Sequence, residues 1–155
     1  MKEVLRKLEL LVLWQVMVFV FFTSIDSHTW IIDSGASDHI TPDLSLLHDV
    51  KVFFGCCYIT MPNGKKAYMK HIGSLVLSPG LVLKGLLHVL DFHFNLLSIS
   101  KPTKQFSANT VFTPDTCLLQ GHTLKKDLLL GKEKRGLYCL NKDTELQRSL
   151  AWDST

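Results

Sequence analysis

The chain has 155 residues, 46% of them hydrophobic and 20% charged, with a formal net charge of +3. That length supports about one domain around a single core, and the composition excludes an intrinsically disordered chain. Apart from Lys125-Lys126 and the run Lys132 to Arg135, the positive residues are scattered, so no basic stripe marks a nucleic-acid surface.

At the N-terminus, Lys2, Arg6 and Lys7 precede an apolar stretch from Leu10 to Phe22, broken only by Gln15. A basic flank with a short apolar core is the pattern of a secretory signal. The stretch falls short of the roughly 20 apolar residues that a comfortable membrane-spanning helix needs. Three origins stay open: a targeting segment, a buried apolar helix, or foreign sequence joined to the domain by an insertion. Membrane contact is expected only through this leader.

From Ser27 onward, short apolar runs are cut by turn residues at close intervals, which predicts an all-β sandwich or barrel. Thr29 to Ile32 reads as a strand leading into Asp33-Ser34-Gly35. Val50 to Phe54 and Cys57 to Met61 follow. Pro62-Asn63-Gly64 is the strongest hairpin signal in the chain, because Asn-Gly readily takes positive φ. Ala67 to Ile72 is predicted as the returning arm. Leu75 to Leu77, Leu81 to Leu83 and Leu86 to Leu90 are further strands, separated by Ser78-Pro79-Gly80 and by Lys84-Gly85. Asn95 to Gln105 is predicted as one short helix, capped by Ser98 or Ser100, with Pro102 in its first turn. Strands are then expected at Thr110 to Phe112, Cys117 to Gln120, Leu128 to Leu130 and Gly136 to Leu140. A polar tail closes the chain.

The chemistry is carried by Asp33-Ser34-Gly35-Ala36-Ser37, at the end of an apolar strand. A bare Asp-Ser-Gly is usually an ordinary turn, since these are common turn residues. The added Ala-Ser and the preceding strand make the longer string more specific. An aspartic protease needs a carboxylate on a rigid loop facing a second carboxylate. Like charges about 3 Å apart cannot both ionise, so the pair shares one proton. One carboxylate then acts as base on a bound water while its protonated partner polarises the scissile carbonyl. Gly35 would let the backbone turn beside the carboxylate and donate its amide. Ser34 would tie two facing loops together, and Ser37 would hydrogen-bond the Asp33 carboxylate.

Trp30-Ile31-Ile32-Asp33-Ser34-Gly35-Ala36-Ser37-Asp38-His39-Ile40-Thr41 resembles the opening of copia-type retrotransposon proteases. Leu87-His88-Val89-Leu90-Asp91-Phe92-His93-Phe94-Asn95-Leu96-Leu97-Ser98-Ile99-Ser100 is similar to a later block of the same family. Gly131-Lys132-Glu133-Lys134-Arg135-Gly136-Leu137-Tyr138-Cys139-Leu140 looks like the stretch leading into the pre-integrase segment of these polyproteins. Three blocks in order span Thr29 to Leu140. The resemblance implies a retropepsin-like closed β-barrel with a flap hairpin and one short helix, preceded here by the apolar N-terminal helix. It implies that Met61, Pro62, Asn63 and Gly64 form the flap tip. Leu96, Leu97 and Ser98 would thread behind the catalytic loop, with Ser98 where Gly is commoner.

The implied divisions are a leader at 1–26, a protease core at 27–106, a β-rich extension at 107–141 and a tail at 142–155. Asp115-Thr116, Asp143-Thr144 and Asp153-Ser154 all lack the following Gly, so each chain has one competent loop. Activity would therefore need a homodimer with Asp33 from each chain, acting on a polypeptide substrate. The family implies a cytoplasmic location, while the leader leaves secretion open. The competing reading is a catalytically inactive retroelement-derived β-barrel that binds peptides or self-associates.

The four cysteines, Cys56, Cys57, Cys117 and Cys139, have no Cys-x-x-Cys spacing, and His88 and His93 lack ligand partners at useful spacing. Neither a disulfide framework, a metal site nor a cofactor is expected. Trp30 is expected to pack beside the catalytic strand, Tyr138 to close a satellite cluster, and His39 to pack a loop.

Overall fold

The computed structural model describes residues 28–54, 57–61, 64–78, 81–121, 124 and 127–140. The leader at 1–26, the tail at 142–155, Cys56, Pro62 and Asn63 lie outside the described residues. Within them the chain is mostly β, as expected. The strands are β1 (Trp30–Asp33), β2 (His39–Thr41), β3 (His48–Val52), β4 (Tyr58–Thr60), β5 (Lys66–Tyr68) and β6 (His71–Ser78). Then come β7 (Leu81–His88), β8 (Asn95–Ser98), β9 (Ala108–Phe112), β10 (Thr116–Gly121), β11 (Leu128–Lys134) and β12 (Leu137–Leu140). Between β8 and β9 lies one short helix, α1 (Ser100–Gln105).

Ten strands form one sheet in the order β3-β6-β7-β2-β8-β1-β12-β11-β10-β9, and β4 and β5 form a separate hairpin. The expected closed barrel is not found: among the described residues the order runs open from β3 to β9. Strands β1 and β2 are consecutive in the chain, yet β8 lies between them, parallel to β1 and antiparallel to β2. Strands β9 to β12 join the same sheet, with β12 antiparallel to β1.

Period-2 alternation sorts the side chains into two cores. Trp30 and Ile32 of β1, Leu86 of β7 and Leu97 of β8 enter the main cluster with Leu75, Leu83, Leu130 and Leu140. Their chain neighbours Leu87 and Leu96 point to the other face and meet Ile40, Ala67 and Val89. Strand β8 is buried along its whole length. Tyr138 packs against the main cluster rather than a satellite, and its hydroxyl donates to the Thr113 carbonyl.

Four local expectations are corrected. Ala67 to Ile72 is not one arm: β5 ends at Tyr68 and β6 starts at His71 on new partners. The switch is made by backbone bonds from Lys70 N to His88 O (3.1 Å) and from Phe53 N to Lys70 O (3.0 Å). Lys84-Gly85 does not break a strand. Gly85, at φ +73, is a bulge skipped between the pairs Gly73↔Leu86 and Ser74↔Lys84, a conformation glycine adopts without Cβ strain. Asn95 to Ser98 is strand rather than helix, because a short apolar run without flanking polar alternation carries no period to separate the two. Neither serine caps α1. Its N-cap is Ile99, with no side-chain cap bond, and Pro102 does sit in the first turn, where its missing N–H costs no intrahelical bond.

Candidate active site

Strand β1 delivers Asp33 from a buried run to a half-exposed position, and Ser34 and Gly35 follow it on the surface. Gly35 N donates to Asp33 Oδ1 at 2.7 Å. A Cβ at Gly35 would lie 3.3 Å from that oxygen, so a larger residue would press the carboxylate aside by a few tenths of an ångström. Ser37 does not serve the Asp33 carboxylate. Its hydroxyl donates instead to Asp38 Oδ2 at 2.9 Å, because the chain has already turned away towards β2.

Behind the loop, β8 runs beside β1 with Asp33 opposite Ser98, and Ile99 N donates to Asp33 O at 3.3 Å. Ser98 uses the side chain that a glycine would lack. Its Oγ donates to Ala36 O at 2.7 Å and lies 3.0 Å from Ser100 Oγ. A hydroxyl has one proton, so Ser100 donates to Ser98 in that pair. The loop is thus tied to the strand behind it at two consecutive backbone levels.

His39 is fully buried in β2, and its Nδ1 accepts from Ser98 N at 3.0 Å. The neutral ring therefore carries its proton on Nε2, which is buried with no partner among the described residues. Burial, aided by the Lys101 charge and opposed by Asp38, pushes the pKa of His39 down from 6.5 to about 4. Geometry demands the same, since a proton on Nδ1 would face the Ser98 N–H. Asp38 in turn is bridged to Lys101 Nζ at 2.6 Å, and that ammonium also donates to Gly85 O at 2.9 Å. Burial raises the Asp38 pKa, but bonds from Lys101 and Ser37 outweigh it and hold the carboxyl below its usual range. The bridge pins the loop to α1 and β7 together. No local signal announces His39–Ser98 or Asp38–Lys101, because each pair is far apart in sequence.

The residues expected to form the flap are partly described. Met61 N donates to Lys65 O and Gly64 N to Met61 O, each at 2.8 Å, and Gly64 has φ +79. Pro62 and Asn63 lie outside the described residues. Met61 and Ile59 pack on the second core cluster, as does Ala36 of the Asp33 loop. The β4–β5 hairpin and the Asp33 loop therefore border one apolar surface. Of the threading residues, Leu97 faces the main core and Leu96 faces the flap side. His88 has Nδ1 2.9 Å from His71 Nδ1. Among the described residues no group of three or more ligating side chains could hold a metal. Cys117 is a buried thiol whose pKa burial pushes up to about 11, so it packs as a small apolar side chain.

The burial of His39 carries a pH signature. Its folded pKa lies below its unfolded one, so its full contribution to stability is present above 6.5 and is lost as pH falls towards 4. Stability is expected to drop by about 2 kcal/mol between pH 7 and pH 5 from this group. In His39→Asn the amide oxygen keeps an acceptor for Ser98 N, and that share of the drop should vanish. Urea unfolding at the two pH values checks this; equal drops in both proteins would refute it.

A family model described as the Pol polyprotein beta-barrel domain matches residues 30–106. The chain is 30% identical over 115 residues to a retrovirus-related Pol polyprotein from transposon RE1 of Arabidopsis thaliana, covering 72% of this chain and 8% of that protein. It is 29% identical over 116 residues to the corresponding polyprotein from transposon RE2, covering 73% and 8%. The chain thus spans about 8% of the length of the curated relatives it matches. No solved structure matches it significantly.

Proposed function

We propose that this chain, which belongs to the Pol polyproteins of copia-type retrotransposons and carries their beta-barrel domain, is an aspartic endopeptidase that works as a homodimer on polyprotein substrate. The observation that carries the reading is the setting of Asp33. Its carboxylate stands half-exposed at the end of a buried strand, with Oδ1 held by Gly35 N at 2.7 Å. A carboxylate fixed in this way, with Ser34 and Gly35 exposed around it, is available to a second loop of the same kind. In the dimer one Asp33 takes a proton from water as that water attacks the peptide carbonyl. The other, protonated because the two charges repel, donates to the carbonyl oxygen. No cofactor enters this chemistry.

The flap hairpin β4–β5 supports the reading. Ile59 and Met61 already rest on the apolar surface that Ala36 shares, so closure over an extended peptide would bury substrate side chains between flap and loop. A protease of this design should cleave a peptide library at a rate that rises with the square of protein concentration while dimer is scarce. The full chain is titrated and initial rates are measured. A strictly linear dependence over a range in which the chain sediments as a monomer would sink the homodimer, and no cleavage by the folded chain would sink the enzyme.

A further inference from the structure

Strand β1, which carries Asp33, has two neighbours, and they come from different parts of the chain. On one side β8 pairs in parallel. On the other, β12 pairs antiparallel through Trp30↔Leu140, Ile31↔Cys139 and Ile32↔Tyr138. Strand β12 lies well beyond residue 106, where the family match stops. It is held in turn by β11 through Lys132↔Cys139, Glu133↔Tyr138 and Lys134↔Leu137.

Side chains reinforce the pairing. Trp30 and Ile32 share the main cluster with Leu130 and Leu140. Gly131 lies so close that a Cβ there would meet Ile32 Cδ1 at 2.4 Å and Cys139 O at 2.8 Å. Without the hairpin, β1 would present a row of unpaired backbone groups and Trp30 would lose its cover on one flank.

We propose that the β11–β12 hairpin is a positioning element for β1, fixing that strand and hence Asp33. The working unit extends to Leu140, and the bond whose hydrolysis frees a working unit from a longer polyprotein lies C-terminal to Leu140. The second statement rests on the protease reading; the first does not.

The test uses the full chain as Asp33→Asn, with Trp14→Phe and Trp152→Phe so that Trp30 is the remaining tryptophan. A recognition site for a specific processing protease is inserted in the Pro114-Asp115 turn of one version and directly after Leu140 in another. Cutting after Leu140 should leave Trp30 emission and the urea midpoint unchanged. Cutting at the turn should leave two pieces that co-elute and separate only in urea. The isolated N-terminal piece should show red-shifted Trp30 emission that returns on adding the C-terminal piece. Unshifted emission and an unchanged midpoint for the isolated N-terminal piece would overturn the proposal. With Asp33 restored, that piece cleaving peptides as fast as the intact chain would overturn it as well. If the intact chain itself cleaves nothing, the protease reading fails, while the emission comparison still decides the hairpin's role.

Discussion

Asp33→Asn should lower peptide cleavage by about 10⁴-fold or more, the scale seen when a residue of a concerted catalytic set is removed. Asparagine has the size of aspartate but cannot take a proton from water or share one with a partner. The fold should survive. Gly35 N donates to Asp33 Oδ1, and an amide oxygen accepts in the same place. Asp33 is half-exposed, so the stability change should stay within about 0.5 kcal/mol. Mixing adds a sharper measurement. If both carboxylates of a dimer are needed, activity in pre-equilibrated mixtures falls as the square of the wild-type fraction. A fall in simple proportion would mean that one Asp33 suffices, which contradicts the shared-proton mechanism.

Much of this site is legible in the sequence because its signals are local. Asp33 and Gly35 are two residues apart, and the geometry between them follows from that spacing plus the absence of a Cβ. Gly64 at φ +79 is what Asn-Gly announces. The partners that hold the loop are not legible. Ser98 reaches Ala36 and His39, and Lys101 reaches Asp38, only after β8 has threaded between β1 and β2. Nothing in a 3.6- or 2-residue period encodes that threading. Asn-Leu-Leu-Ser is buried on every residue, and a strand covered on both faces loses the alternation by which strands are recognised. Ser37 illustrates the opposite error. The protease motif suggested Asp33 as its partner, but its hydroxyl donates to Asp38 Oδ2. The division of the extension at 107–141 came from the family resemblance and not from a linker in the sequence. In the fold its last strand flanks the first.

That flanking makes Trp30 the residue whose loss should cost the fold most. It is fully buried, it lies between Asn95 on β8 and Leu140 on β12, and it belongs to the main cluster. Trp30→Ala should destabilise by about 3–5 kcal/mol, a large part of the roughly 5–15 kcal/mol available to a domain. Trp30→Phe should behave differently. The indole Nε1 is buried with no hydrogen-bond partner among the described residues, and such an orphaned donor costs about 1–3 kcal/mol. Phenylalanine removes that penalty while leaving a smaller cavity than alanine, so the two changes oppose each other and the net loss should stay below about 1.5 kcal/mol. Urea unfolding of the two variants beside wild type measures both. A Phe variant as unstable as the Ala variant would mean that the six-membered portion of the indole, or a partner for Nε1, holds the junction. Near-neutral Phe with a severe Ala would assign the stability to apolar filling. Asp33 stands three residues further along the same strand, so Trp30→Ala should also misplace the carboxylate in whatever fraction stays folded. Its specific cleavage rate, corrected for folded protein, should then fall, while that of Trp30→Phe should not.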